Sequence, residues 1–202
     1  MPNTKNGISK IKKIPIEVSA RHIHLSQKDL EKLFGKGYKL KKIKALIQVG
    51  DFAAKETLDI QNGSKKISGV RIVGPTRKET QVELSRTDAI HLRLNPPIRI
   101  SGNIKGTPGI MLIGPKKKVK IRQGLIIAQR HIHCAISEAK KFGLKNGMRV
   151  SVKVKGPRAM TFHNVKIRVD KNYRLCMHID TDEGNAVGII KKGKGVIEKL
   201  KL

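Results

Sequence analysis

Short stretches in which Val and Ile alternate with polar residues recur along this 202-residue chain, separated by Gly, Pro and Asn. Residues 14–18, 44–49, 57–60, 70–73, 81–84, 98–101, 119–121, 149–155, 165–169 and 175–179 all read this way. Alternation with a period of two marks a strand with one buried face, and short strands at this spacing predict barrels or sandwiches rather than βαβ units. Helical signals are few. Ser26-Gln27-Lys28-Asp29 resembles a capping box and predicts a helix ended by Gly35, while Ser137 is expected to cap a counterpart running into Phe142-Gly143. The Gly- and Pro-rich tract 96–124 reads as the passage between two halves of the chain.

Those halves share a tetrapeptide. Arg21-His22-Ile23-His24 returns as Arg130-His131-Ile132-His133, using four of the seven histidines. On a strand, residues i and i+2 share a face about 7 Å apart, so each pair can aim two imidazoles at one metal ion. A single His-x-His is as readily a core pair or a locally hydrogen-bonded one, but two copies of a scarce residue in one context weigh against coincidence. Each pair is followed by a helix signal, so the repeated unit is a strand plus a helix. A looser echo links Gly74-Pro75, Val82, Arg86 and Asp88 with Gly156-Pro157, Val165, Arg168 and Asp170. Two domains of about 100 residues each are expected.

Charge changes this picture less than its size suggests. With 44 Lys and Arg against 15 Asp and Glu, the net charge is +29, which suits nucleic acid or a phosphate-rich small ligand through counterion release. The scatter of Lys12-Lys13, Lys41-Lys42, Lys65-Lys66, Lys116 to Lys118 and Lys191-Lys192 fits a solvated surface equally well. Two Tyr, four Phe and no Trp leave few rings for base stacking, so no nucleic-acid partner is expected. No run approaches the ~20 apolar residues of a membrane span. With no apolar segment behind the basic start and only Cys134 and Cys176, a cytoplasmic location is expected.

A zinc ion that performs chemistry keeps three protein ligands and one open position, so each His-x-His pair needs a third partner. His178 lies in the strand-like run 175–180. Glu83 alternates with apolar residues in 80–84, where a barrel strand could carry it to a site, although a lone carboxylate is ordinarily a solvated surface group. Cys176 shares a strand face with His178 and is a possible soft ligand, whereas Cys134 points away from His133. His91 and His163 have no such context and are read as structural.

The ordered motifs Ile16-Glu17-Val18-Ser19-Ala20-Arg21-His22-Ile23-His24-Leu25-Ser26, Val70-Arg71-Ile72-Val73-Gly74-Pro75-Thr76-Arg77, Thr80-Gln81-Val82-Glu83, Pro97-Ile98-Arg99-Ile100-Ser101-Gly102, Ala128-Gln129-Arg130-His131-Ile132-His133 and His178-Ile179-Asp180-Thr181-Asp182-Glu183-Gly184-Asn185-Ala186 resemble the phosphate propanoyltransferase family of phosphotransacylases. The likeness spans about residues 14–190. It implies an enzyme that transfers a short acyl group, acetyl or propanoyl, between coenzyme A and phosphate, with two zinc ions between two β-barrel domains. His22, His24 and Glu83 would hold one zinc; His131, His133 and His178 would hold the other. Arg77 matches the phosphate-binding arginine, and coenzyme A contacts fall on Val18, Ser19, Ala20, Arg71 and Asn185, with Lys65 nearby. The N-terminal strand of the family joins the barrel of the C-terminal half, which implies domains of residues 21–128 and 129–198, the latter with strand 11–20.

Metal-bound phosphate would attack the thioester directly, since nothing around Cys134 or Cys176 lowers a thiol pKa. A homodimer is also possible on this reading. Relatives enclosed in microcompartments carry an N-terminal amphipathic helix, for which Pro2, Asn3, Asn6 and Gly7 are poorly suited. Two departures stand out: Pro115-Lys116-Lys117-Lys118 is more basic than the family pattern, and Gly184 stands where Ala is frequent. Two other classes compete, a hydrolase using the same metals and a nucleic-acid-binding β-barrel with structural zinc.

Overall fold

The computed structural model describes residues 12–198. In the first half of the chain lie β1 (Lys12–Val18), β2 (His22–His24), α1 (Gln27–Phe34), β3 (Lys42–Ala45), β4 (Phe52–Asn62), β5 (Lys65–Gly74), β6 (Gln81–Leu84), α2 (Arg86–His91), β7 (Ile98–Arg99), β8 (Ile110–Ile113), β9 (Lys118–Ile121) and β10 (Leu125–Ala128). The second half adds β11 (His131–Cys134), α3 (Ile136–Phe142), β12 (Arg149–Val154), β13 (Met160–Val169), β14 (Cys176–Ile179), α4 (Thr181–Val187) and β15 (Lys192–Glu198). The class is mainly β, as the alternation predicts. Strands β1-β14-β11-β13-β12-β15 close into a barrel, and β7-β10-β6-β2-β5-β4-β8-β9, with β3 on β4, form a sheet that curls into a half-barrel.

Each sheet surrounds its own apolar cluster. In the barrel Ile14, Ile16, Ile132, Ile167 and Met177 are at most 1% exposed and fill the interior. Strand alternation therefore turns His131, His133, Arg168 and His178 outward. In the curled sheet Ile23, Ile72, Val82 and Leu84 enter the other core, which turns His22, His24, Arg71 and Glu83 to the opposite face. The duplication is visible in register. β2 lies parallel to β5 and antiparallel to β6, pairing His22 with Arg71 and Glu83. β11 lies parallel to β13 and antiparallel to β14, pairing His131 with Lys166 and His178.

The helix signals hold in part. Ser26 caps α1 by accepting from the Asp29 amide, but the Asp29 carboxylate accepts from Thr80 Oγ1 (2.7 Å) instead of closing a box. Gly35 ends that helix. Ser137 does not cap α3. Ala135 is the N-cap, its amide held by the Glu138 carboxylate, and Ser137 lies in the first turn. Gly143, left-handed at φ 60°, ends α3 as expected. Two further helices, α2 and α4, open on reciprocal boxes, Ser85 with Asp88 and Asp180 with Glu183.

Several expectations along the chain need correction. The tract 96–124 is not a passage between halves: it supplies β7, β8 and β9, and β8 pairs with β4. Residues 57–60 and 165–169 are segments of the longer β4 and β13. The expected strand at 44–49 ends at Ala45, because Gly50 (φ 87°) turns the chain and the Leu46 amide donates to the Asp51 carbonyl. That turn lets Gln48, 7% exposed, reach the barrel. Its Oε1 accepts from the Arg174 amide (3.0 Å) and its Nε2 donates to the Arg174 carbonyl (3.1 Å). A second tie runs from the Thr87 amide at the start of α2 to the Asp182 carboxylate in α4 (2.8 Å).

Gln48→Ala removes the partners of both backbone groups of Arg174, so it is expected to lower stability by about 1–3 kcal/mol, read as a lower Tm in thermal denaturation. An unchanged Tm would show that the latch does not help hold the sheets together.

Gly184 is explained by contact: a β-carbon there would meet Ile189 O and Val18 Cγ2 at 2.8 Å, so glycine lets α4 approach β1. The lysines at 41, 42, 66, 116–118, 191 and 192 are exposed, in keeping with a solvated surface. Among the described residues no helix is long and apolar enough to cross a membrane. Residues 1–11, on which most of the expectation about a targeting helix rests, lie outside the described residues.

Candidate active site

The outward faces of the two sheets meet across a cleft of about 580 Å³. Into it the curled sheet sends His22, His24, Arg71, Arg77 and Glu83, and the barrel sends His131, His133, Arg168 and His178. On the curled side, His22 Nε2 lies 3.7 Å and His24 Nε2 3.9 Å from the Glu83 carboxylate. These three ligand atoms lie within 4.8 Å of one another. Ligand atoms around a tetrahedral zinc with bonds of about 2.0–2.1 Å sit about 3.3 Å apart, so a small contraction would close them on an ion.

The imidazoles are turned for that purpose. Nδ1 of His22 faces the Ala20 carbonyl (2.9 Å), Nδ1 of His24 the Val73 carbonyl (3.0 Å) and Nδ1 of His131 the Gln129 carbonyl (2.8 Å). Only a protonated Nδ1 bonds a carbonyl, which leaves the Nε2 lone pair to face the cleft. Burial pushes the pKa of His24 well below its usual range, with the His22 and Arg77 charges acting the same way and Glu83 opposing. Burial likewise lowers His131. For Glu83, burial favours the neutral acid, but His22, His24, the Ser101 hydroxyl and Arg77 together outweigh it and hold the carboxyl at about 2. A buried carboxylate beside two imidazoles is a donor set suited to a divalent cation.

On the barrel side the His133 ring centroid lies 4.5 Å from that of His131 and 5.0 Å from that of His178. Both ring nitrogens of His133 are buried without a hydrogen-bond partner. Such orphaned atoms are rare in native structures and point to a missing ligand. Burial foremost, with His131 next, brings His133 to about 2 and His178 to about 3, so both rings are neutral. His178 Nδ1 faces the Glu17 carboxylate at 3.7 Å, the arrangement in which a carboxylate orients a ligating imidazole. Glu17, Cys176 and His178 also lie within 4.8 Å of one another. Glu17 is exposed to the Lys192 and Lys44 charges and Cys176 is fully buried, so this trio fits an orienting role toward His178 better than a second cation site.

Arg77 stands between the trios. Its Nη1 donates to Ser101 Oγ (3.1 Å), and Ser101 in turn donates to Glu83 (2.7 Å). Burial lowers its pKa while Glu83 and Asp51 raise it, leaving a guanidinium cation in a half-buried wall.

Of the residues expected to touch coenzyme A, Val18, Ser19, Ala20 and Arg71 line the cleft. Arg71 donates to the carbonyls of Ala54 (3.0 Å) and Lys55 (2.8 Å). Lys65, at the far end of β5, and Asn185, exposed on α4, do not line it. His163 pairs with Ser151 (2.8 Å) and His91 contacts the Lys66 carbonyl, both away from the cleft, as structural histidines do. Cys134 is sealed in the barrel core.

Among the cleft residues that escaped the sequence reading are Gln48, Asp51, Arg168 and Tyr173. Tyr173 lies against His133 with ring centroids 4.1 Å apart.

The family model for phosphate propanoyltransferases matches residues 15–190. The phosphate propanoyltransferase of Lachnoclostridium phytofermentans is 52% identical over 177 residues, covering 87% of this chain and 83% of that protein. That of Thermotoga maritima is 50% identical over 174 residues, covering 86% and 83%, and that of Salmonella typhimurium is 47% identical over 176 residues, covering 87% and 83%.

Proposed function

Because the chain belongs to the phosphate propanoyltransferase family, we propose that it transfers an acetyl or propanoyl group between coenzyme A and inorganic phosphate. The observation that best supports this reading is the meeting, in one cleft, of the His22, His24 and Glu83 ligand group from the curled sheet with three imidazoles of the barrel, His131, His133 and His178, and with Arg77. We take the metal to be zinc, two ions per chain, held by His22, His24 and Glu83 and by His131, His133 and His178. The imidazole-rich donor sets and the orphaned nitrogens of His133 suit it. Zinc, when bound, supplies Lewis acidity toward phosphate and the thioester carbonyl.

The chain's own residues account for the rest. Phosphate is a heavily solvated dianion and a poor nucleophile, so it must be stripped of water and positioned. The Arg77 fork can take two of its oxygens, and the hydrogen bond to Ser101 keeps the guanidinium aimed. The thioester would enter along Val18, Ser19 and Ala20 beside Arg71. A phosphate oxygen then donates its lone pair to the carbonyl carbon. As the carbonyl re-forms, the C–S bond breaks with its pair going to sulfur, and the phosphate proton ends on the CoA thiol. HPO₄²⁻ and acyl-CoA thereby give acyl phosphate and CoA.

No acyl-enzyme is needed. Burial raises the Cys134 thiol to about 11 and the Cys176 thiol to about 12, so neither supplies a thiolate at neutral pH.

Six residues of strand separate Lys65 from Arg71, about 20 Å, so Lys65 would meet only a distant end of coenzyme A. Asn185 would likewise act outside the cleft. Division into domains 21–128 and 129–198 with strand 11–20, a homodimer, and a cytoplasmic location belong to the same proposal.

The test is release of CoA thiol from acetyl-CoA or propanoyl-CoA with and without phosphate. Phosphate-dependent release is expected. Phosphate-independent release would mark a hydrolase, and no release in zinc-replete protein would favour a binding protein.

A further inference from the structure

We propose that Arg168 is a second arm of the phosphate grip, contacting the oxygens of the attacking phosphate from the barrel side while Arg77 holds them from the curled sheet. The proposal rests on reading the cleft as a phosphate acyltransferase site.

Position comes first. The parallel register of β11 and β13 sets Arg168 beside His133, and because the adjacent Ile167 is 0% exposed in the barrel core, Arg168 is directed into the cleft. In the other copy of the duplicated unit, the pairing of His22 with Arg71 and Ile23 with Ile72 brings Val73 beside His24. There the strand offers His24 only the Val73 carbonyl. One copy thus has an apolar side chain where the other places a permanent cation. A structural role in packing against an imidazole would not call for that change.

Charge supplies the second argument. Arg77 and Arg168 come from different sheets yet repel one another across the cleft. Arg77 has Glu83 and Asp51 nearby, but among the described residues Arg168 has no carboxylate within ion-pair distance. Two guanidiniums facing a common half-buried space are mutually unfavourable until an anion lies between them, and a phosphate dianion with four oxygens can serve both.

Geometry supplies the third. The Arg168 guanidinium lies over the Tyr173 ring, 5.5 Å from its centroid, and Tyr173 in turn lies tilted against His133, with ring centroids 4.1 Å apart. A cation–π contact consumes no N–H donor, and among the described residues no hydrogen bond engages the Arg168 guanidinium, so its donors are available for a bidentate contact. The cation is thereby fixed beside the barrel-side imidazoles without spending the donors that would grip phosphate.

Arg168→Gln tests this with zinc content and Tm measured alongside. The expected result is a phosphate KM raised at least about tenfold, an acyl-CoA KM within about twofold of wild type, and unchanged zinc content. Inorganic phosphate should also raise the Tm of the zinc-loaded wild type more than that of the variant. Arg168→Lys keeps the charge without the fork and should recover only part of the phosphate affinity; it also provides the readout if the Gln variant fails to fold. Wild-type phosphate KM in both variants, or a rise confined to the acyl-CoA KM, would overturn the assignment. Those outcomes would leave the acyltransferase reading intact provided the wild type releases CoA in a phosphate-dependent way; absence of such release in the wild type would sink that reading first.

Discussion

His131→Ala is expected to lower phosphate-dependent CoA release by about 10²–10⁴-fold, equivalent to about 3–5 kcal/mol of transition-state stabilisation. Zinc content should fall by about one ion per chain in the same protein. The reason is the donor set: His131 Nε2 faces the cleft with its Nδ1 held by the Gln129 carbonyl, and among the described residues neither ring nitrogen of His133 beside it has a hydrogen-bond partner. His22→Ala should remove the other ion, because it leaves His24 and Glu83 as a two-ligand remnant. Neither side chain belongs to an apolar core cluster, so both variants should fold. Removing the metal from wild type with a chelator should abolish turnover, and adding zinc back should restore it. Full activity in metal-replete protein that contains no zinc would end the metal assignment.

Arg77→Ala carries the second large effect. A surface arginine, or one that only stabilised the turn after Gly74-Pro75, would leave kinetics intact and cost at most about 1 kcal/mol of stability. Arg77 is instead half-buried, aimed by Ser101 and close to Glu83. Its removal is therefore expected to raise the phosphate KM or cut kcat on the order of 10²-fold or more, with zinc content and CoA binding retained. Arg77→Lys sharpens the test, since an ammonium keeps the charge but cannot form the planar two-point contact, and partial recovery is expected. Wild-type phosphate kinetics in the Ala variant would remove Arg77 from the site.

Much of the cleft is legible in the sequence because strand geometry has a period of two. His22 and His24 must share a face, as must His131 and His133, and repetition of the tetrapeptide marks both pairs at once. Glu83 and His178 are harder. Each is legible as a candidate third partner, but what sets it beside its His-x-His pair is the pairing of β6 and β14 with those strands, in the same register in both halves. Arg168 was hidden because Lys166 and Arg168 alternate with Ile167 just as any solvated basic strand would, in a chain full of such strands. Gln48 and Asp51 were hidden for another reason. Val and Ile around them read as a strand, but the turn at Gly50 and the hydrogen bonds to Arg174 prevail over local propensity. The boxes that open α2 and α4 were present in sequence as Ser85 with Asp88 and Asp180 with Glu183, yet short helices carry too little apolar periodicity to announce themselves.

The most direct measurement of the central claim is the product balance of wild-type, zinc-replete protein given propanoyl-CoA and inorganic phosphate. Trapping with hydroxylamine, or a phosphorus resonance distinct from that of phosphate, should reveal one acyl phosphate for each CoA thiol released. Release of CoA with free carboxylate and no acyl phosphate would contradict the account, because water rather than phosphate would then be the nucleophile in this cleft.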